Sequence, residues 1–280
     1  MLRAPFLACL LCAVLPGGAL AATTGWVEIG PGSRVRLISD GMLAADGSTR
    51  LGIEIELAAG FRTYWRVPGE AGLPLGLDLT GSIGVADAQL SWPFPERQMI
   101  EGVLEYVYLD QVVLPLRMVP ESGAERLAVH AALTLGVCSD ICIPARAEFN
   151  LPVDVDEPDR VSSFRLDSAM ALVPVLDATT PPLFGSLAPA QNGTLLVQSW
   201  APGPVAASLI VDGRDPGWLF GSPQNGPHSD LLELLVLAGG DVSELVGEVL
   251  RLTFMTDRGP FELTRVVGPL ESVDSVEKVE

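Results

Sequence analysis

The residues of this sequence best suited to chemistry are two cysteines, Cys138 and Cys142, in the segment LGVCSDICIPAR. In a continuous strand their Cα atoms would lie about 13 Å apart, whereas a disulfide needs a separation of about 4.4 to 6.8 Å. A bond between them therefore requires a sharp turn at residues 139–141, where Ser-Asp is favourable turn chemistry. Such a pair has three possible uses: a structural staple, a metal site or a redox couple.

The energetics favour redox use over stapling. Closing a loop of about five residues removes only roughly 2 kcal/mol of conformational entropy from the unfolded chain. A chain of 280 residues buries a sufficient core without such a clasp. A strained disulfide across a short loop is also easier to reduce, as an exchangeable bond must be. The spacing alone therefore favours a working redox pair.

Metal binding is the third use. Structural zinc takes four ligands, and beside this pair the exported chain offers only His130 and His228 as further nitrogen ligands. The ligand count therefore disfavours zinc. Cu(I) accepts two soft thiolates, with Met99 or Met118 as conceivable additional ligands, so a Cu(I)-binding or scaffold module stays open as an alternative function.

The first 21 residues have the pattern of a secretory signal peptide. Arg3 provides the positive start, an apolar run follows, and Ala19-Leu20-Ala21 forms a cleavage site of small residues. We expect cleavage to remove Cys9 and Cys12. The mature chain would then keep one cysteine pair and meet an oxidising compartment, where disulfides persist.

Charge and hydropathy narrow the class of partner. The formal net charge is −18, which argues against nucleic acid or anionic lipid as a partner, since both attract positive charge. No stretch after the signal approaches the ~20 apolar residues that span a bilayer. We therefore expect no membrane insertion after signal removal.

The elements that must position the cysteines are strands. Apolar residues alternate with polar ones in residues 51–57 and 127–135, a period of two that indicates half-buried strands. His130 falls on the polar side of the second of these strands. Pro115 predicts an edge position or a bulge in its strand. Further strands are predicted at 103–109, 112–118, 148–155, 194–200, 207–211, 231–237, 248–255 and 261–267.

A charged segment with a proline, residues 154–163, separates two strand-rich blocks and predicts a domain boundary. A short helix is expected at 166–172. Many short strands with frequent turns predict an all-β protein with two immunoglobulin-like β-sandwich domains in tandem. Their predicted limits are 22–157 and 163–270, followed by an acidic tail at 271–280.

Four segments, in order along the chain, resemble a known family: YWRVPGEAGLP (64–74), WPFPER (92–97), YVYLDQVVLPL (106–116) and GVCSDICIP (136–144). Together they resemble the periplasmic N-terminal domain of the DsbD thiol:disulfide interchange family, and most of all its ScsB-like branch, which is linked to copper tolerance. The resemblance covers about residues 25–155. The second block resembles the companion domain of that branch, through VDGRDPGWLFGSP and LRLTF.

This resemblance implies a periplasmic immunoglobulin-like domain in which Cys138 and Cys142 exchange electrons through mixed disulfides. The activity would be that of a thiol-disulfide oxidoreductase of the protein-disulfide reductase type, with no intrinsic cofactor. The implied partners are thioredoxin-like periplasmic proteins and a membrane electron donor on a separate protein. The best-known members space their cysteines more widely than the three intervening residues found here.

The family also shields its cysteine pair with an aromatic residue on a cap loop. That loop corresponds to residues 94–102 here, with Met99 or Ile100 at the shielding position and Phe94 as a possible substitute. Tyr64 lies where the family places an aromatic residue near the site. Core packing is the alternative role for both aromatic residues.

Overall fold

The computed structural model describes residues 23–124, 126–154, 157–213 and 217–269. The predicted signal peptide (1–21), with Cys9 and Cys12, and the predicted acidic tail (271–280) lie outside the described residues. The expectations for these two segments therefore stay predictions.

The first unit is built from strands. They are β1 (Val27–Gly30), β2 (Ser33–Leu43), β3 (Thr49–Glu56), β4 (Arg62–Gly69), β5 (Gly76–Asp78), β6 (Val85–Leu90), β7 (Glu96–Ile100), β8 (Val103–Leu109), β9 (Gln111–Pro120), β10 (Arg126–Cys138) and β11 (Cys142–Asp154). The outer β11 alternates buried and exposed residues, while the central β3 and β8 are buried on both faces.

These strands form two sheets that pack face to face. One sheet has the order β1-β2-β3-β9-β6, and the other has the order β11-β10-β4-β8-β7, with β5 also paired to β10. The core between them takes one face of each strand, including Leu37, Ile53, Trp65 and Leu133. The opposite face of the second sheet is free of this core, and the cysteine pair lies there.

Pro115 lies in an inner strand, so the predicted edge position is wrong. Strand β9 runs between β3 and β6, and Pro115 faces Gly52 of β3 without a register shift there. Its carbonyl oxygen accepts a hydrogen bond from the backbone N–H of Ser91, just past the last residue of β6. A missing N–H is tolerated at this point because the neighbouring strand ends there.

Helix α1 (Arg160–Met170) begins six residues before the predicted helix. Asp159 caps it, since its carboxylate accepts hydrogen bonds from the backbone N–H groups of Val161 and Ser162. Leu166 and Ala169 pack against the first sandwich. The domain limits of 157 and 163 stay a prediction, but this helix is packed on the unit that precedes it.

The second unit has shorter elements. They are β12 (Val175–Leu176), β13 (Phe184–Pro189), β14 (Thr194–Ser199), α2 (Gly203–Ser208), β15 (Ile210–Gly213), β16 (Leu219–Phe220), β17 (Gln224–Asn225), β18 (Leu231–Ala238), a 3₁₀ helix (Val242–Leu245), β19 (Val249–Thr256) and β20 (Gly259–Val266). Residues 203–208 form α2, so the strand predicted at 207–211 starts three residues later than expected.

One curled sheet carries the second unit, in the order β12-β20-β19-β15-β16-β18-β14-β13 with β17 beside β18. Its strands β13 and β20 approach each other again through a bridge between Leu187 and Val267. The sheet thus encloses a separate core, with Phe184 and Phe254 in edge-to-face contact at its centre. The predicted all-β class, with two strand-rich units in tandem, is confirmed.

The two units contact each other through Arg66 of β4. Its guanidinium stacks on the ring of Trp65 at 4.0 Å and donates hydrogen bonds to Asp212 and Glu262 of the second unit. Ile210 and Leu219 of the second unit also join the first core. Apolar packing and a largely buried cation therefore hold the units together.

Candidate functional site

The cysteine pair closes a hairpin. Strands β10 and β11 pair without a register shift from Arg126 opposite Asp154 to Cys138 opposite Cys142. The chain reverses at residues 139–141, as predicted, and the two cysteines form a disulfide with a Cα–Cα distance of 4.0 Å. The last ladder pair of the hairpin is therefore the disulfide itself.

The two cysteines differ in their exposure to solvent. Cys138 is fully buried and packs with Tyr64 and Val107. Cys142 is exposed, at the start of the outer strand β11. An incoming thiolate can therefore reach Cys142 from solvent, whereas Cys138 is covered on every side.

Tyr64 contacts the exposed sulfur. Its hydroxyl oxygen lies 3.3 Å from Sγ of Cys142, although the side chain is only 1% exposed. Burial, followed by the nearby charge of Glu105, raises the pKa of Tyr64, and Arg62 opposes this effect. The hydroxyl therefore keeps its proton at neutral pH and is a potential donor to sulfur.

Arg62 connects the hairpin turn to a buried carboxylate. It lies opposite Cys138 on β4, and its Nη1 donates to the carbonyl oxygen of Ser139 at 2.8 Å. Its Nε donates to Glu105 of β8 at 2.5 Å. The side chains of Arg62 and Glu105 are 13% and 4% exposed. Neither residue is predicted from the sequence, because the strand register that joins them is not visible in a single sequence.

A loop of residues 70–75, which follows β4, packs against Tyr64 and against β10. The backbone N–H of Gly136 donates to the carbonyl oxygen of Leu73. Gly72 lies so close to Tyr64 that a Cβ there would be 2.3 Å from the tyrosine ring. This loop, which we call the 70–75 loop, holds the Tyr64 ring in place beside the cysteines.

The structure places two of the other predicted shielding residues, Met99 and Ile100, away from the pair along their hairpin. Met99 faces Leu104 in the β7–β8 hairpin, whereas Leu109 of β8 lies level with Arg62 and the cysteines. The five residues from Leu104 to Leu109 correspond to about 16 Å of strand, and this length separates Met99 from the level of the cysteines. Ile100 is one residue further. Phe94 lines a groove beside helix α1 together with Val107 and Leu109, which pack with Cys138, so its shielding role stays a prediction.

The residues considered for metal binding are also apart. Met118 is fully buried in the sandwich core, and Met99 lies at the far end of its hairpin. His130 is on the polar side of β10, as predicted, where its ring nitrogen Nδ1 lies 3.1 Å from Oδ1 of Asn150. Within the described residues no three His, Cys, Asp or Glu side chains are grouped as a metal site.

Within the described ranges, none of the helices is long and apolar enough to cross a membrane.

Comparisons with known proteins agree with this geometry. The family model described as thiol:disulfide interchange protein DsbD, N-terminal, matches residues 35–154. The solved N-terminal periplasmic domain of ScsB from Proteus mirabilis aligns with 26% identity and a TM-score of 0.67, over 89% of this chain and 99% of that chain. The resemblance inferred from the four sequence segments is thereby confirmed.

A second solved structure, the full ectodomain (Ig1–Ig3) of mouse nectin-like molecule 4, aligns with 9% identity and a TM-score of 0.19. The alignment covers 88% of this chain and 66% of that chain, and a TM-score this low does not indicate a shared overall structure. No match was found among curated proteins.

Proposed function

We propose that this chain, whose residues 35–154 form a domain of the DsbD N-terminal family, passes electrons between periplasmic redox proteins through Cys138 and Cys142. The family itself supports thiol:disulfide interchange. The single observation that carries the proposal is the pairing of an exposed cysteine with a buried one in the same disulfide.

The asymmetry suggests an order of steps. A thiolate of a reduced donor attacks Sγ of Cys142, the Cys138–Cys142 bond breaks, and Cys138 leaves as a thiolate that takes up a proton. The donor's second thiolate then attacks its own sulfur in the mixed disulfide, which releases Cys142 reduced and the donor oxidised. In the second half, Cys142 attacks the disulfide of a target and Cys138 resolves the mixed disulfide, so the target leaves reduced.

The surface around Cys142 fits a protein partner. Ile141 and Ile143, which flank it, are 74% and 40% exposed, and Leu73 of the 70–75 loop is 42% exposed. Exposed apolar side chains around a reactive sulfur favour docking of another folded protein. The proposed partners are thioredoxin-like proteins and a membrane electron donor, and the proposed location is the periplasm, as for the ScsB domain.

A trapping experiment tests the proposal. The Cys138→Ser variant keeps the exposed nucleophile but lacks the resolving thiol, so we expect it to accumulate a mixed disulfide with a disulfide-bonded thioredoxin-like protein. The matched Cys142→Ser variant keeps only the buried thiol, and we expect at least tenfold less of the adduct. Non-reducing electrophoresis with mass spectrometry of the joined peptides measures both.

Two results would contradict the proposal. One is equal trapping by the two variants, and the other is a wild-type disulfide with a reduction potential far below about −300 mV, where structural disulfides lie. Titration of the reduced protein with Cu(I) tests the alternative of a metal-binding module. Sub-micromolar binding that needs both cysteines would favour that alternative.

A further inference from the structure

Two buried opposite charges adjoin the turn that carries Cys142. Arg62 and Glu105 form an ion pair between neighbouring strands, and both are largely shielded from water. Arg62 reaches the cysteine turn through Ser139, and Tyr64, on the same face of β4, reaches Cys142. Charges in such a position act strongly because little solvent screens them.

We propose that Arg62 and Glu105 are positioning residues that set the acidity of the Cys142 thiol in the reduced protein, an inference that rests on the proposed function. Arg62 favours the thiolate and fixes the turn that carries it, and Glu105 holds Arg62 in place while opposing the thiolate. Tyr64 connects this ion pair to Cys142, because its protonated hydroxyl lies at hydrogen-bond distance from Sγ of Cys142.

The other charged groups near Cys142 are weaker candidates. Asp140 lies in the turn and is exposed, so water screens its charge. Arg146 is exposed on β11, four residues from Cys142, or about 13 Å along the strand. Two further titratable groups contact Cys142, namely Cys138 across the ladder and Tyr64 itself.

The proposal predicts opposite effects for the two charges. In the Cys138→Ser background, Arg62→Gln leaves Glu105 unopposed, so we expect the pH midpoint of Cys142 alkylation to rise and the rate at pH 7 to fall about tenfold. Glu105→Gln leaves Arg62 unopposed, so we expect the midpoint to fall and the rate at pH 7 to rise several-fold. Peptide mass spectrometry after iodoacetamide treatment measures the rates.

Controls separate this effect from a general loosening of the fold. Arg34→Gln breaks an ion pair with Glu56 in the other sheet, and we expect it to leave the alkylation profile unchanged. The double variant Arg62→Gln/Glu105→Gln removes both charges, so its midpoint should return toward that of the background protein. If Arg62→Gln fails to fold, the isosteric Glu105→Gln variant still shows whether the pH midpoint of Cys142 alkylation shifts in the expected direction.

Shifts in the same direction for the two single variants, or no shift in folded variants, would overturn the inference. Trapping of a partner by Cys138→Ser without opposite shifts overturns the inference alone. Opposite shifts without any trapping overturn the proposed function and leave the charge effect in place.

Discussion

At the scale of single residues, burial distinguishes side chains of the same type. Cys138 and Cys142 are bonded to each other, yet one is covered and the other is open to solvent. The tyrosines are also governed by burial. Tyr64, Tyr106 and Tyr108 are all buried, and loss of hydration raises the pKa of each, that of Tyr108 most clearly.

These tyrosines predict loss of stability in alkali. They are the chain's three tyrosines, and each ionises more readily in the unfolded state, near pH 10. The native state therefore holds more protons above that pH, and the free energy of unfolding falls as pH rises, by up to about 1.4 kcal/mol per pH unit for each tyrosine. Below about pH 9 we expect no such dependence. Urea unfolding between pH 8 and 11.5 measures how the free energy of unfolding depends on pH.

Tyr108→Phe is the informative variant for this prediction. It removes the tyrosine with the largest effect, so the alkaline slope should decrease. It also removes the hydrogen bond from the hydroxyl to the carbonyl oxygen of Pro93, which should cost about 1 kcal/mol at neutral pH. An unchanged slope above pH 10 would contradict this explanation.

At the scale of elements, the site depends on a loop that fastens two strands together. The 70–75 loop binds β10 through Leu73 and holds the Tyr64 ring of β4 through the absence of a side chain at Gly72. Gly72 has a φ of +118°, a conformation that other residues rarely adopt. Both the backbone conformation of Gly72 and its lack of a side chain are therefore needed to hold the Tyr64 ring in place.

Gly72→Ala should move Tyr64 away from Cys142. The added Cβ overlaps the ring, and the positive φ adds strain, so we expect a loss of about 1 to 3 kcal/mol in the free energy of unfolding. The rate of disulfide reduction by dithiothreitol should change as well. Gly102→Ala is the matched control, since Gly102 has a φ of +87° with open space around it. Equal effects of the two variants on the reduction rate would contradict the proposed role of the loop.

Much of the strand pattern was predictable from the sequence, because alternation follows directly from the burial of one face. The strand at 103–109 was predicted with its observed bounds. The start of helix α1 was missed, although Asp159 offered a capping signal. Glu105 and the 70–75 loop could not be predicted, since their role depends on which strands become neighbours and in what register.

At the scale of the whole molecule, the two units meet through apolar side chains and through two arginines, Arg66 and Arg97. Arg66 donates to Asp212, Thr253 and Glu262 from a position only 15% exposed. Asp212 is nearly fully buried, and its other cationic neighbour, Arg251, is 4.0 Å away. The buried Asp212 therefore depends on the Arg66 guanidinium for its closest opposite charge.

Arg66→Met should uncouple the two units. It leaves Asp212 without its nearest cation, which we expect to cost about 3 kcal/mol. The heat-capacity profile should then show two separate transitions in place of a more cooperative one. Arg117→Met is the control, because its ion pair with Asp46 is exposed and should contribute less than about 1 kcal/mol. A single unchanged transition in Arg66→Met would contradict this view of the contact.

The uninterrupted β10–β11 ladder has a consequence for recognition. The disulfide is the terminal pair, so its reduction breaks a bond only at the turn, where Arg62 still binds Ser139, and the pairs from Arg126 to Val137 keep their partners. The oxidised and reduced proteins therefore present almost the same surface to a partner protein. A partner that distinguishes the reduced protein from the oxidised one must therefore recognise residues 139–141 and the two sulfurs.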